Sequence, residues 1–204
     1  MKQYIFITLI STIFFSMLTL SCEKNNIDNN SNSKTGQVEI KGYPGSYNDG
    51  SYNKMYFTAI ADKLIIDWGD GSVDDITPNG VIQEFVHQYQ NQIFQTITIS
   101  SENLSYFYGY PEHMYREFRF RNCLQLKEIN CYGHSLTILE LDNVPALLLL
   151  NASCNYDLNT SAVTTIFNGL PIRKVSDNAK IYIDTSGADE SIATKKGWSV
   201  NPNY

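Results

Sequence analysis

The sequence has little of what enzymatic chemistry needs. Only three of its 204 residues are His, at positions 87, 113 and 134, and they are scattered. There is no G-x-S-x-G, no H-E-x-x-H, no phosphate loop and no C-x-x-C, so no nucleophile, base or metal set converges in the chain. Cys131-x-x-His134 offers two metal ligands, but nothing joins them at zinc-site spacing. Charge is also sparse: 18% of residues are charged, the formal net charge is −6, and Lys and Arg form no cluster. That excludes nucleic acid, and electrostatic docking on anionic lipid, as expected partners. The expectation is a non-catalytic chain with no cofactor.

What is abundant is aromatic: 14 Tyr and 10 Phe. Such residues pack well on pleated sheets, so the composition predicts a mainly β protein. The N-terminus carries a separate signal. Lys2 precedes 17 residues, Tyr4 to Leu20, that are apolar apart from Thr8, Ser11, Thr12, Ser16 and Thr19. Polarity returns at once after Ser21-Cys22. This is the pattern of a secretory signal peptide over residues 1–21; an uncleaved transmembrane anchor is the alternative, at the short limit of spanning length. Leu18-Thr19-Leu20-Ser21-Cys22 resembles the lipobox of bacterial lipoproteins. The resemblance implies cleavage before Cys22, acylation of its sulfur and new amine, and stable membrane anchoring through several acyl chains. The alternative is a soluble secreted protein in which Cys22 is incidental. Residues 22–36 are rich in Asn and Ser, with Ile27 alone strongly apolar, and are expected to be a flexible tether.

Residues 37–101 alternate as strands do at 37–40, 55–60, 64–68, 81–89 and 93–100, with turn chemistry at 45–53 and at Gly69-Asp70-Gly71-Ser72. Asp67-Trp68-Gly69-Asp70-Gly71, then His87-x-Tyr89, then Thr96-Ile-Thr-Ile99 resembles the PKD-type immunoglobulin-like β-sandwich. Trp68 would supply a large core side chain, and the Asp70 carboxylate would accept N–H bonds across the turn. A calcium site from Asp67, Asp70, Asp74 and Asp75 is the competing reading, although the spacing is not that of an EF-hand.

Residues 102–163 repeat. Apolar or aromatic residues recur at Leu104, Tyr115, Leu126, Leu136, Leu147 and Leu158, at intervals of 10 or 11. A second position holds Phe107, Phe118, Ile129, Leu139 and Leu150. A third holds Gly109, Phe120, Cys131, Leu141 and Ala152. Positions 1, 4 and 6 of each unit should point inward, each coil burying its neighbour's apolar row; chance-spaced hairpins are the alternative. Ile129, Leu139, Leu141 and Leu150 are therefore expected buried, and Glu128 and Glu140 exposed. Two units approach the length of a leucine-rich repeat, and His134 and Asn155 fall near the position where an Asn caps the turn. Residues 164–204 read as a small α/β cap: helices near 164–169 and 190–196, and a strand at 180–184. A PKD-like β-sandwich leading into a short leucine-rich-repeat ladder resembles the BspA-like surface lipoproteins of Bacteroidetes. That resemblance implies a lipid-anchored outer-membrane protein, surface-exposed or periplasm-facing, acting as a binding or adhesion module for protein or glycan. The alternative is an accessory carbohydrate-binding lipoprotein of a polysaccharide uptake system.

Two questions concern side chains. After acylation of Cys22, three thiols remain. Cys131 holds an inward position, while Cys123 and Cys154 fall at unit turns where a bridge is conceivable. Tyr106 and Tyr108 take outward positions, with Tyr110 just beyond; if alternate units share a face, Glu128, Asn130 and Tyr132 follow on it. Exposed Tyr beside polar groups suits ligand contact. The alternative is that these rings pack beneath the preceding domain.

Overall fold

The computed structural model describes residues 35–45, 53–111 and 115–201. The signal peptide, Cys22, and the tether up to residue 34 lie outside the described residues, as do turn residues 46–52. The elements in order are β1 (Gly36–Gly42), β2 (Lys54–Ile60), β3 (Leu64–Asp67), β4 (Val73–Ile76), β5 (Ile82–Gln88), β6 (Gln95–Ser101), β7 (Tyr106–Gly109), β8 (Tyr115–Arg121), β9 (Glu128–Asn130), β10 (Ile138–Asp142), β11 (Leu149–Ala152), α1 (Thr160–Gly169), β12 (Lys180–Ile183), α2 (Ser191–Thr194) and β13 (Ser199–Val200). The protein is mainly β, built on two mixed sheets. One has six strands in the order β10-β8-β1-β6-β3-β4; the other has seven, β13-β12-β11-β9-β7-β2-β5.

From β7 to β11 the chain visits the sheets alternately, and β9, β10 and β11 each pair in parallel with the strand two earlier. Tyr106 faces Glu128, Glu128 faces Leu149, and Glu117 faces Ile138, offsets of 22, 21 and 21 residues. The next offset lengthens to 31, Leu149 to Lys180, because helix α1 occupies the half-turn where a six-sheet strand would otherwise lie. Asn159 caps that helix by accepting the Ala162 N–H, so α1 begins at Thr160, four residues before the start expected from sequence. Gly169 lets α1 close against β10, since a Cβ there would sit 2.6 Å from the Leu141 carbonyl. The strand expected in the C-terminal cap is β12, which extends the seven-stranded sheet.

Every residue assigned an inward phase from the repeat is buried, from Leu104 to Leu158, including Gly109 and Cys131. Glu128 and Glu140 are half-buried rather than exposed, because flanking strands shield them and Arg119 pairs with Glu140 at 3.0 Å. The core runs without a break from the earlier strands into the repeat. Phe85 and Phe107 both stack on Phe57, and Phe107 meets Phe118 and Phe120 edge-on at 5.5 and 5.4 Å. β8, from the repeat, pairs antiparallel with β1. Across the core the Tyr115 hydroxyl bonds the Tyr56 backbone N–H and carbonyl, beyond the point where β2 pairs with β7.

Two side chains bond backbone groups about 20 residues or more earlier in the chain. Asn155 is 1% exposed; its amide nitrogen donates to the Cys131 carbonyl at 2.8 Å and its oxygen accepts the Leu136 N–H at 3.3 Å. Buried His134 meets the Gly109 carbonyl at 3.3 Å. Gly109 and Cys131 occupy the same position in the sequence repeat, so the two side chains contact corresponding carbonyls.

Candidate functional site

The turn residues after β3 form one connected cluster. Ser72 donates its backbone N–H (3.0 Å) and hydroxyl (2.6 Å) to Asp70, and His87 Nε2 lies 2.8 Å from the other Asp70 oxygen. The His87 ring stacks on Trp68 at 4.9 Å, and Tyr89 packs edge-on against it while donating its hydroxyl to the Trp68 carbonyl. Gly69, at φ +83°, passes so close to the Thr96 backbone that a Cβ would collide with its carbonyl. The Trp-Gly-Asp-Gly and His-x-Tyr segments thus meet because each supplies half of one packed unit.

Ser, His and Asp lie together here, but not as a relay. Ser72 and Asp70 both approach the same ring nitrogen, Nε2, and Ser72 gives its proton to Asp70. A relay needs the carboxylate on one nitrogen and the nucleophile on the other. The four Asp side chains do not converge on a common point either. Asp67 accepts the Gly69 N–H, Asp70 is taken by Ser72 and His87, Asp74 accepts the Trp68 indole N–H at 2.8 Å, and Asp75 pairs with Lys63. Among the described residues no three His, Cys, Asp or Glu side chains group so as to hold a metal ion. The hydrogen bonds from Ser72 and His87 lower the Asp70 pKa from 3.8 to about 2.

The described cysteines are free thiols. Cys123 follows a strand of one sheet and Cys154 a strand of the other, so the bridge considered from sequence is absent. Burial pushes the Cys123 thiol up to about 12 and the Cys131 thiol up as well, which leaves both inert.

The outer faces of the two sheets differ in kind. On the six-stranded sheet, charges interlock. Arg119 pairs with Glu39 and Glu140 at 3.0 Å each and also with Glu117, while Lys41 bonds Glu39 and Glu117, and Arg121 reaches Glu140. Three cations and three anions on β1, β8 and β10 neutralise one another.

The seven-stranded sheet instead presents tyrosines and amides. Its registers align Tyr182, Asn151, Asn130, Tyr108, Thr58 and Glu84 in one row across β12, β11, β9, β7, β2 and β5. The adjoining row is Lys180, Leu149, Glu128, Tyr106, Ile60 and Ile82. Tyr106 and Tyr108 are half-buried, but not beneath another domain: β2 lies beside β7 in the same sheet. Tyr108 packs on Tyr110 at 4.6 Å with the Tyr132 phenol nearby, and burial, with the neighbouring phenols, pushes its pKa up to about 12. Tyr110 accepts a hydrogen bond from Thr58 at 3.1 Å and contacts Glu84. The structure therefore brings Tyr132 near Tyr108 and places Tyr106 two residues from Tyr108 on the same strand, opposite Glu128. Burial raises the Glu128 and Tyr106 pKa values. Asn130 was expected on this face from sequence; Asn151 and Tyr182 were not singled out. The two Asn share the 21-residue offset, whereas the helix in the next half-turn breaks the interval that would have pointed to Tyr182.

Among the described residues no helix is long and apolar enough to cross a membrane. Comparison with protein-family models, with curated proteins and with solved structures finds no match to this chain.

Proposed function

We propose that this chain is a non-catalytic bacterial envelope lipoprotein, anchored through Cys22 to the outer membrane, that binds a protein or glycan on the outer face of its seven-stranded sheet. In this reading strands β1–β6 are a PKD-like sandwich fused to a short leucine-rich-repeat ladder, and the C-terminal α/β segment caps the ladder. The parallel offsets of 21 and 22 residues, the buried inward positions and the Asn155 bonds to the preceding coil support the ladder. The packed Trp68, Asp70, His87 and Tyr89 cluster supports the PKD-like unit.

One observation carries the functional reading. Tyr106, Tyr108 and Tyr132 come together on the face that no ion-pair lattice occupies. Tyrosine offers rigid, amphipathic contact area at low entropic cost. Tyr106→Ala and Tyr108→Ala should weaken binding to the ligand returned by a combined glycan-array and protein pull-down screen, by about thirtyfold where the ring is an anchor. Lost melting temperature with undiminished affinity would place the rings in packing alone. The second reading, an accessory carbohydrate-binding lipoprotein of a polysaccharide uptake system, is favoured by the paired amides Asn130 and Asn151 beside those rings.

A further inference from the structure

The row Tyr108–Asn130–Asn151–Tyr182 has a defined chemical polarity. Asn130 and Asn151 face each other in register on adjacent parallel strands. Both are turned the same way. Asn151 Oδ1 accepts the Ser153 N–H at 3.2 Å and hydroxyl at 2.7 Å, and Asn130 Oδ1 accepts the Tyr132 N–H at 3.4 Å. Each carbonyl is thereby committed to the turn that follows its strand, which fixes the amide plane. The two NH2 groups donate to no other described residue. They form a pair of pre-oriented neutral donors one strand spacing apart, ~4.8 Å.

Aromatic rings flank this pair. Tyr108 stands one strand to one side of the Asn pair and Tyr182 one strand to the other, so the rings are three strand spacings apart, ~14 Å. No Lys, Arg or carboxylate lies between them in the row. The adjoining row adds one cation, Lys180, and one carboxylate, Glu128. Beyond Asn151 and Tyr182 the strand ends border a cleft of about 290 Å³ lined by Ser153, Tyr156, Asp184 and Asn201.

We propose that this row binds an uncharged polysaccharide chain lying across the strands. Two sugar residues stack on Tyr108 and Tyr182, and the Asn130 and Asn151 amides donate to hydroxyl or ring oxygens between them. The proposal rests on the binding-face reading above and specifies its ligand. Sugars present apolar C–H faces to aromatic rings and neutral oxygens to amide donors, which is what this row offers in order. A protein partner could use the same tyrosines, but its hot spots cluster at the centre of an interface, and the centre of this row holds only the two amides. An acidic glycan would meet Glu128 and a chain of net charge −6, with Lys180 alone to offset them.

The test is affinity electrophoresis and calorimetry of the purified full chain with galactomannan, glucomannan, mixed-linkage β-glucan and starch, beside polygalacturonate. The expected result is binding to at least one neutral polysaccharide that survives high salt, with oligosaccharides long enough to reach both rings bound and monosaccharides not. Asn130→Asp and Asn151→Asp keep the turn acceptor and remove the donor; each should weaken binding about tenfold or more at unchanged melting temperature, as should Tyr182→Ala. Binding to polygalacturonate alone, loss of binding in high salt, or full affinity in Tyr182→Ala and Asn151→Asp would overturn the proposal. Failure of every polysaccharide also overturns it. If a protein ligand then binds in a manner abolished by Tyr108→Ala, the glycan assignment falls and the binding face stands. If Tyr106→Ala and Tyr108→Ala change no binding at all, both fall.

Discussion

Asn155→Ala isolates the side chain that bonds the Cys131 carbonyl and the Leu136 N–H. Asn155 is almost wholly buried, and its amide nitrogen donates to the carbonyls of Cys131, Ala152 and Ser153 at 2.8, 3.0 and 3.3 Å. Its oxygen accepts the Leu136 N–H. Truncation strands at least that N–H and the Cys131 carbonyl where water has no access. Each unsatisfied buried group costs ~1–3 kcal/mol, so the expected loss for the two is ~2–6 kcal/mol. That is a large share of the ~5–15 kcal/mol that stabilises an ordinary domain. With a urea slope of ~2–3 kcal/mol per M, the unfolding midpoint should fall by ~1–2 M at unchanged slope. Two further variants sharpen the reasoning. Asn155→Asp keeps an acceptor for Leu136 but sets a carboxylate against three carbonyls, so at neutral pH it should be no better than Ala. Asn143→Gly removes an exposed side chain that donates to Asn122 at 2.8 Å and preserves its left-handed backbone, so it should cost less than ~1 kcal/mol. A midpoint for Asn155→Ala within ~0.2 M of wild type, or a well-tolerated Asp, would refute the reasoning.

The remaining predictions concern the core, the turn and the anchor. Leu139→Ala, at a site 2% exposed between β8 and α1, should cost ~2–5 kcal/mol by equilibrium unfolding. Asp70 has its pKa depressed in the folded state, so its contribution is present above the unfolded value near 3.8 and is lost as pH falls towards about 2. Between those pH values wild type should therefore lose stability more steeply than Asp70→Asn, and parallel melting-temperature profiles would contradict the assignment. Cys22→Ala should abolish acyl labelling and release the protein from membranes washed with carbonate; retention would end the lipoprotein reading.

Much of the fold was legible because it is written in local periodicity. The 10- and 11-residue spacing set the inward phase of Phe118, Leu139 and Leu150, and a one-residue slip would have reversed all of them. The Trp68, Asp70, His87 and Tyr89 cluster was readable as a motif. Strand β4 was not, because Val73-Asp74-Asp75-Ile76 carries two carboxylates in a strand exposed at the sheet edge; the Trp68 indole bond to Asp74 stabilises it, and that contact is tertiary. The antiparallel pairing of β1 with β8, about 80 residues apart in sequence, leaves no local trace, so the sharing of both sheets by the early strands and the repeat emerged only from the structure. Of the candidate site, the tyrosines were visible through their outward phase. Asn130 was visible the same way, but its pairing with Asn151 on the adjacent parallel strand was not, because that register is a tertiary feature.

The central claim is that the ligand meets the seven-stranded face and not the six-stranded one. It is tested most directly by a blocking charge on each. Asn151→Arg places a guanidinium in the tyrosine–amide row, and Thr98→Arg places one between Glu39 and Asp67 on the opposite sheet, where both carboxylates receive it. Titrated against the same ligand, with both variants shown to melt as wild type does, Asn151→Arg should abolish binding and Thr98→Arg should leave affinity unchanged. Retained affinity in Asn151→Arg, or its loss in Thr98→Arg, would contradict the claim.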